Sequence, residues 1–219
     1  SLLVFPAQWY PTQPYLSTPY LCSYLKEKSW DVTQRDFNIE SYDHFLSPTV
    51  LEKIVSKIES RLTELKSQKS FSFKEKSLMD VMATGVKFAP TIISGVNDAK
   101  KVMRTPELFF DFNTYKQADM IIKSALKLVS DAYSPSILTL STFESGTRAE
   151  ESTQRSTEFA RNKNINPFID LYDEVLLPSE PWENYSLVGI SIVGISQILP
   201  GLTLARLLKE KYSHLHITL

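Results

Sequence analysis

The chain has 219 residues and a mass of 25.0 kDa, with 24 Lys+Arg against 25 Asp+Glu, 42% hydrophobic and 22% charged residues. That is the composition of a folded globular chain, and a net charge of -1 supplies no overall field for holding nucleic acid or an acidic membrane surface. One cysteine, Cys22, and three histidines, His44, His214 and His216, exclude an internal disulfide and the usual tetrahedral Cys/His metal set, and point to a reducing, cytoplasmic compartment.

Residues 2–5, Leu-Leu-Val-Phe, read as a buried strand stopped by Pro6, and no basic flank or long apolar core marks them as an export signal. A loop over 7–19 follows, carrying Trp9, Tyr10 and Tyr15 among prolines that fix φ and remove donors. A helix over 20–28 with Leu21, Tyr24 and Leu25 on one side, then a strand over 30–37, complete a βαβ unit.

Ser47-Pro48 is a helix start, with an N-cap oxygen before a proline that has no N–H to satisfy, and Leu51, Ile54, Val55, Ile58, Leu62 and Leu65 follow at helical spacing. Helical periodicity returns over 74–93 and over 114–132, the second capped by Asn113. Residues 150–162 read as a polar, exposed helix, and Asn166-Pro167-Phe168 opens an amphipathic stretch that ends near Pro178 and Pro181.

Residues 187–205 carry no charge and have about the length of a membrane span, roughly 20 residues. Their grammar is different. A β-branched run over 186–192 gives way to Ile198, Leu199, Leu202, Ala205 and Leu208 at helical spacing, which continues into Arg206, Lys209 and Lys211. A strand, a turn and an amphipathic helix are expected, then a last strand over 216–219.

Strand–helix alternation at both ends predicts an α/β fold: a Rossmann-like parallel sheet, incomplete at its C-terminal side, from residues 1–46 and 179–219, with a mainly helical insertion over 47–178. An edge left on an apolar strand predicts further chain in a longer protein, or a homo-oligomer formed through the open sheet edge.

Ligands of open α/β sheets lie beyond the carboxyl ends of the strands, here the 6–19 loop, the residues after Asp36, and 192–197. The aromatic loop offers a stiff wall for a flat ligand or a protein surface, or else packs as core. Val193-Gly194-Ile195-Ser196-Gln197 opens a helix with small and polar groups that suit an amide or phosphate, without the G-x-G-x-x-G or Walker spacing of nucleotide sites. Gly189-x-Ser191 fails the nucleophile-elbow pattern at Val193. The neighbours Asp43 and His44 read as a surface loop pair, and His214 with His216 as a solvated edge without a third metal ligand. Catalytic and metal residues are therefore assigned to none.

The opening strand and its Pro-aromatic loop, Thr18-Pro19-Tyr20-Leu21-Cys22-Ser23-Tyr24-Leu25-Lys26, Asp36-Phe37-Asn38, Val188-Gly189-Ile190-Ser191-Ile192 and Ser196-Gln197-Ile198-Leu199-Pro200-Gly201-Leu202 together resemble the N-terminal cobalamin-binding-like domain of radical S-adenosylmethionine enzymes, in the group of peptide natural-product maturases. The resemblance covers roughly residues 1–50 and 164–219. It implies a fragment whose partners are a corrinoid cofactor, the C-terminal radical domain of the longer protein and a peptide substrate, with no nucleic acid and no membrane. Methyl transfer or related radical chemistry, the 4Fe-4S cluster and S-adenosylmethionine would belong to that C-terminal part, because the Cys-x-x-x-Cys-x-x-Cys motif is absent from this chain. The Asp-x-His-x-x-Gly of cobalamin domains is also missing after the first strand, so the resemblance implies base-off binding. Carried over, it gives Tyr10, Thr12 and Tyr15 as a wall and Ser191, Val193, Ser196 and Gln197 as contacts to the tail or corrin edge. The alternative is a degenerate Rossmann-like module that binds no cofactor and recognises a peptide or protein substrate, with the helical insertion as its working surface.

Overall fold

The computed structural model describes residues 1–68 and 70–219. Its elements in chain order are β1 (Leu2–Phe5), α1 (Ser17–Glu27), β2 (Thr33–Asp36), α2 (Phe37–Phe45), α3 (Pro48–Lys66), α4 (Phe73–Arg104), α5 (Pro106–Phe109), α6 (Phe112–Ala132), the two-residue strands β3 (Ile137–Leu138) and β4 (Phe143–Glu144), α7 (Thr153–Arg161), α8 (Phe168–Leu171), β5 (Leu187–Ile190), α9 (Ile195–Lys211) and β6 (His216–Thr218). Contacts divide the chain into two compact units, Ser1–Tyr42 with Leu140–Leu219, and Asp43–Thr139.

The first unit holds a four-stranded parallel sheet in the order β2-β1-β5-β6, so the protein is α/β as its strand–helix alternation predicts. Leu2 pairs with Thr33 on one side and Val188 on the other, and Leu187 pairs with His216. Chain travel runs outward from the central pair in opposite directions, so the order reverses between β1 and β5. Leu2, Val4, Val188 and Ile190 are buried with Leu199, Leu204 and Leu208 of α9. Gly201 lets that helix close on the sheet, since a Cβ there would stand 2.8 Å from Ile192 Cδ1.

Three local expectations are revised in this unit. The strand expected over 30–37 is confined to Thr33–Asp36, because the Asp36 carboxylate accepts the Ile39 N–H at 3.0 Å and turns the chain at once into α2. Helix α1 begins earlier, at Ser17, and its buried side is Thr18 and Cys22, leaving Leu21 and Tyr24 in solvent. Small side chains one turn apart let α1 lie close to β1 and β2, with the Cys22 thiol 3.7 Å from the Val32 carbonyl. The polar 150–162 stretch forms α7, which is not simply exposed: Ser156, Phe159 and Ala160 are buried and the helix packs on α9.

Residues 140–178, which the sequence assigns to the insertion, group with the sheet. Asn166 accounts for this, being fully buried, donating from Nδ2 to Thr203 Oγ1 at 2.9 Å on α9 and accepting the Phe168 N–H at 3.0 Å. Phe168 then packs edge-on against Phe143, with ring centroids 4.9 Å apart.

The second unit is built on α3, α4 and α6, which pack against one another. Ser47 caps α3 ahead of Pro48, and Leu51, Ile54, Ile58 and Leu62 are its buried face. A capping box of Ser72 and Glu75 starts α4, which runs for 32 residues, well past the expected end at 93. The cap of α6 is Asp111 rather than Asn113, its carboxylate accepting the Thr114 N–H at 2.8 Å. Among the described residues no helix is long and apolar enough to cross a membrane. The 187–205 stretch is divided between β5 and α9.

Candidate functional site

The carboxyl ends of β1 and β5 adjoin where the strand order reverses, and the segments after β1, β2 and β5 meet there. Gln197, fully buried in the first turn of α9, spans the two strand ends. Its Nε2 donates to the Pro6 carbonyl at 2.8 Å and its Oε1 accepts the Val193 N–H at 3.0 Å. The Ser191 and Ser17 hydroxyls are bonded at 2.8 Å, which ties the end of β5 to the start of α1.

Helix α2 pins the other side. Asn38 Oδ1 accepts the Trp9 N–H at 2.8 Å, and the Tyr42 hydroxyl lies 3.0 Å from the Trp9 carbonyl and 2.7 Å from that of Leu140, with the Gln8 amide also bonded to it. Burial pushes the Tyr42 hydroxyl well above its ordinary range, so it stays protonated and available as a donor.

The aromatic loop folds over this floor. Tyr15 stacks on Phe5 with centroids 5.6 Å apart and planes within 6°, and Trp9 meets Tyr15 and Tyr10 edge-on at 5.6 and 6.2 Å. The Trp9 ring sits so close to Gly194 that a Cβ there would be 3.2 Å from Cζ3. Among the described residues the Trp9 indole N–H is buried without an acceptor. Tyr10, Thr12 and Tyr15 keep exposed surface, Tyr10 at 42% and Tyr15 at 40%.

All seven residues carried over by the resemblance therefore belong to one region, with two different standings. Tyr10, Thr12 and Tyr15 present an outward face, and Ser196 stands partly buried in the first turn of α9. Ser191, Val193 and Gln197 spend polar groups on bonds within the chain. Sequence reasoning missed Tyr42 and Ser17 as supports of the site. Tyr42 lies on a helix hidden behind the apparent strand, and Ser17 lies inside the proline-rich 7–19 stretch that reads as loop, between Pro14 and Pro19. Asn38 carries no sequence signal beyond its place in Asp36-Phe37-Asn38.

The other candidates lie elsewhere. Asp43 and His44 are on α2, not in a loop, and Asp43 pairs with Arg104 at 2.8 Å. His216 is on the β6 edge with His214 just before it, and among the described residues no group of three or more His, Cys, Asp or Glu is placed to hold a metal. A separate groove of about 520 Å³ runs between α4 and α6, lined by residues that include Val81, Gly85, Phe88, Met120, Leu128 and Asp131.

No family model, no curated protein and no solved structure matches the chain. The geometry bears in two ways on the corrinoid that the resemblance implies. Tyr10 and Tyr15 keep exposed aromatic surface against which a flat apolar ring system would pack. A nucleotide tail threaded between the ends of β1 and β5 does not fit, because Trp9 fills the space at Gly194 and the Gln197 bridge closes the gap beneath it.

Proposed function

We propose that the sheet unit is a cobalamin-binding-like, Rossmann-like module that serves as the front end of a larger radical enzyme, and that its ligand face is the outer surface of the aromatic loop. The observation that carries this reading is the strand order β2-β1-β5-β6, whose reversal at β1/β5 lies directly under that loop. Counted within the sheet alone, the order is 2-1-3-4, the beginning of the flavodoxin-like 2-1-3-4-5 arrangement, which binds its ligand at the same reversal. Tyr10, Thr12 and Tyr15 would bear on a flat corrin face. Ser191, Val193 and Gln197 would act one layer down by fixing the loop rather than touching the ligand.

The test is a titration with hydroxocobalamin and with cobinamide, a corrinoid that lacks the nucleotide tail, followed by visible absorbance and retention through desalting. Cobinamide is expected to bind at least as tightly, since the tail has no slot, and Tyr15→Ala is expected to weaken both. No spectral change with either corrinoid overturns the reading.

The α4/α6 groove favours a second reading, in which the helical unit recognises an apolar segment of another polypeptide. The two readings concern different units and are compatible.

A further inference from the structure

We infer that the groove between α4 and α6 seats an amphipathic helix of another polypeptide that brings a lysine or arginine to Asp80. This rests on the recognition reading of the helical unit and is independent of the corrinoid reading. The starting point is that α4 has more apolar surface than its own packing uses. Met82, Ala89, Ile92, Val96 and Ala99 are buried, yet Val81 and Phe88 remain 38% and 54% exposed, and Met120 of α6 is 59% exposed beside them. These side chains are not scattered but line one groove.

The groove has a defined floor. Gly85 brings the two helices together, since a Cβ there would meet Leu128 Cδ2 at 3.1 Å and Asp131 Oδ2 at 3.4 Å. From Ser77 to Ile92 the lining follows α4 for about 22 Å, the length of a partner helix of roughly 15 residues. A volume of about 520 Å³ spread over that length accepts a row of side chains, not a helix backbone, which matches a helix resting on two others at the usual spacing. An extended peptide is a poorer occupant, because helices α4 and α6 offer it no free backbone ladder, whereas a helix arrives with its own backbone paired.

Charge fixes the polar end. Asp131 is 7% exposed and holds Lys127 through both carboxylate oxygens at 2.8 Å. Asp80 lines the same end, and among the described residues no cation pairs with it. Lys127 offsets one of the two carboxylates, so the lining carries one net negative charge. Of the lysines alongside, Lys123 is bonded to Asp119 at 2.7 Å and Lys87 lies over the Phe88 ring. Thr84 returns its hydroxyl to the Asp80 carbonyl at 2.8 Å, leaving its methyl group for the wall.

The test is fluorescence anisotropy with a labelled model peptide of about 16 residues, with leucines at helical spacing and one arginine a turn beyond the last leucine. Binding is expected to weaken about three- to tenfold when the arginine becomes glutamate, as an exposed pair is lost and a repulsion gained, and Asp80→Lys is expected to reverse the preference. Phe88→Asp, an exposed change that spares the core, should abolish binding, as should filling the floor with Gly85→Leu. A proline-interrupted peptide that binds equally well, or equal affinity for the arginine and glutamate peptides, overturns the inference and leaves the recognition reading standing. No binding by any of these peptides overturns both. A dimer of the chain that Phe88→Asp dissociates makes the occupant a second copy and overturns the inference as well.

Discussion

Replacing Gln197 tests whether the ends of β1 and β5 are locked as described. The side chain is fully buried and satisfies two backbone groups, the Pro6 carbonyl at 2.8 Å and the Val193 N–H at 3.0 Å. Leucine has similar bulk and no polar atoms, so Gln197→Leu leaves one donor and one acceptor unpaired at about 1–3 kcal/mol each. Val193 is only partly buried and leucine adds apolar burial, so the expected net loss is about 2–4 kcal/mol. In a chain of this size that lowers the midpoint of thermal unfolding by roughly 6–12 °C, read by far-ultraviolet circular dichroism and repeated as a urea midpoint. Gln197→Glu adds a signed control. Its carboxylate accepts from Val193 but donates to Pro6 only when protonated, so burial and the lost donor raise its folded pKa above the ordinary glutamate value near 4.3. The proton-dependent stability is then present below that value and lost as pH rises through the folded pKa, so the variant gains relative to wild type on acidification. A loss under about 0.5 kcal/mol for Gln197→Leu, with no pH trend in Gln197→Glu, would refute the bridge.

Ser29 follows α1 with φ 64°, a left-handed residue whose N–H reaches the Lys26 carbonyl while Trp30 N–H reaches that of Leu25. Ser29→Gly removes the Cβ penalty and should raise stability by about 0.5–1 kcal/mol, and a decrease in the urea midpoint would show that the serine side chain supports the cap. Asn166→Ala strips three hydrogen bonds from a fully buried corner and is expected to cost about 2–4 kcal/mol, with protection of the Phe168 amide against hydrogen exchange falling in parallel. Burial, and then the Lys53 charge, hold His44 below its ordinary value of 6.5, so the fold prefers the neutral ring. That contribution is present above 6.5 and lost as pH falls through the depressed folded value. The urea midpoint of wild type should therefore fall more between neutral and mildly acid pH than that of His44→Gln, and equal slopes would contradict the burial.

What could be read from the residues depended on whether periodicity or a cap decided the outcome. The sheet was legible because β1 and β5 are short apolar runs between breakers, and their parallel pairing follows from the helices between strands. Helix α3 was legible for the same kind of reason, Ser47-Pro48 before an unbroken apolar stripe. Elements governed by a single polar side chain escaped. Asp36 ends β2 and starts α2 with one hydrogen bond, inside a stretch whose alternation reads as strand to its end. Asp111 instead of Asn113 caps α6, a choice between two good caps that sequence alone does not rank.

The face of α1 shows the limit more sharply. Apolarity selects Leu21, Tyr24 and Leu25 as its inner side, and of these only Leu25 is half-buried, while the helix turns Thr18 and Cys22 inward, because close approach to β1 and β2 needs small side chains more than apolar ones. The same rule operates at the candidate site. Gly194 yields its space to Trp9, and Gln197, a polar residue in an apolar helix face, is buried because two backbone groups at the strand ends need partners. Polar residues near a strand end are read from sequence as ligand contacts, since nothing in the chain says whether their partners are internal. Here Ser191 and Gln197 are bonded within the chain while Tyr10 and Tyr15 keep exposed surface, so the surface the loop presents is aromatic and the polar groups at the strand ends beneath it are structural. If the sheet unit takes a corrinoid as proposed, that division predicts that the tail-less form binds at least as well as the tailed one.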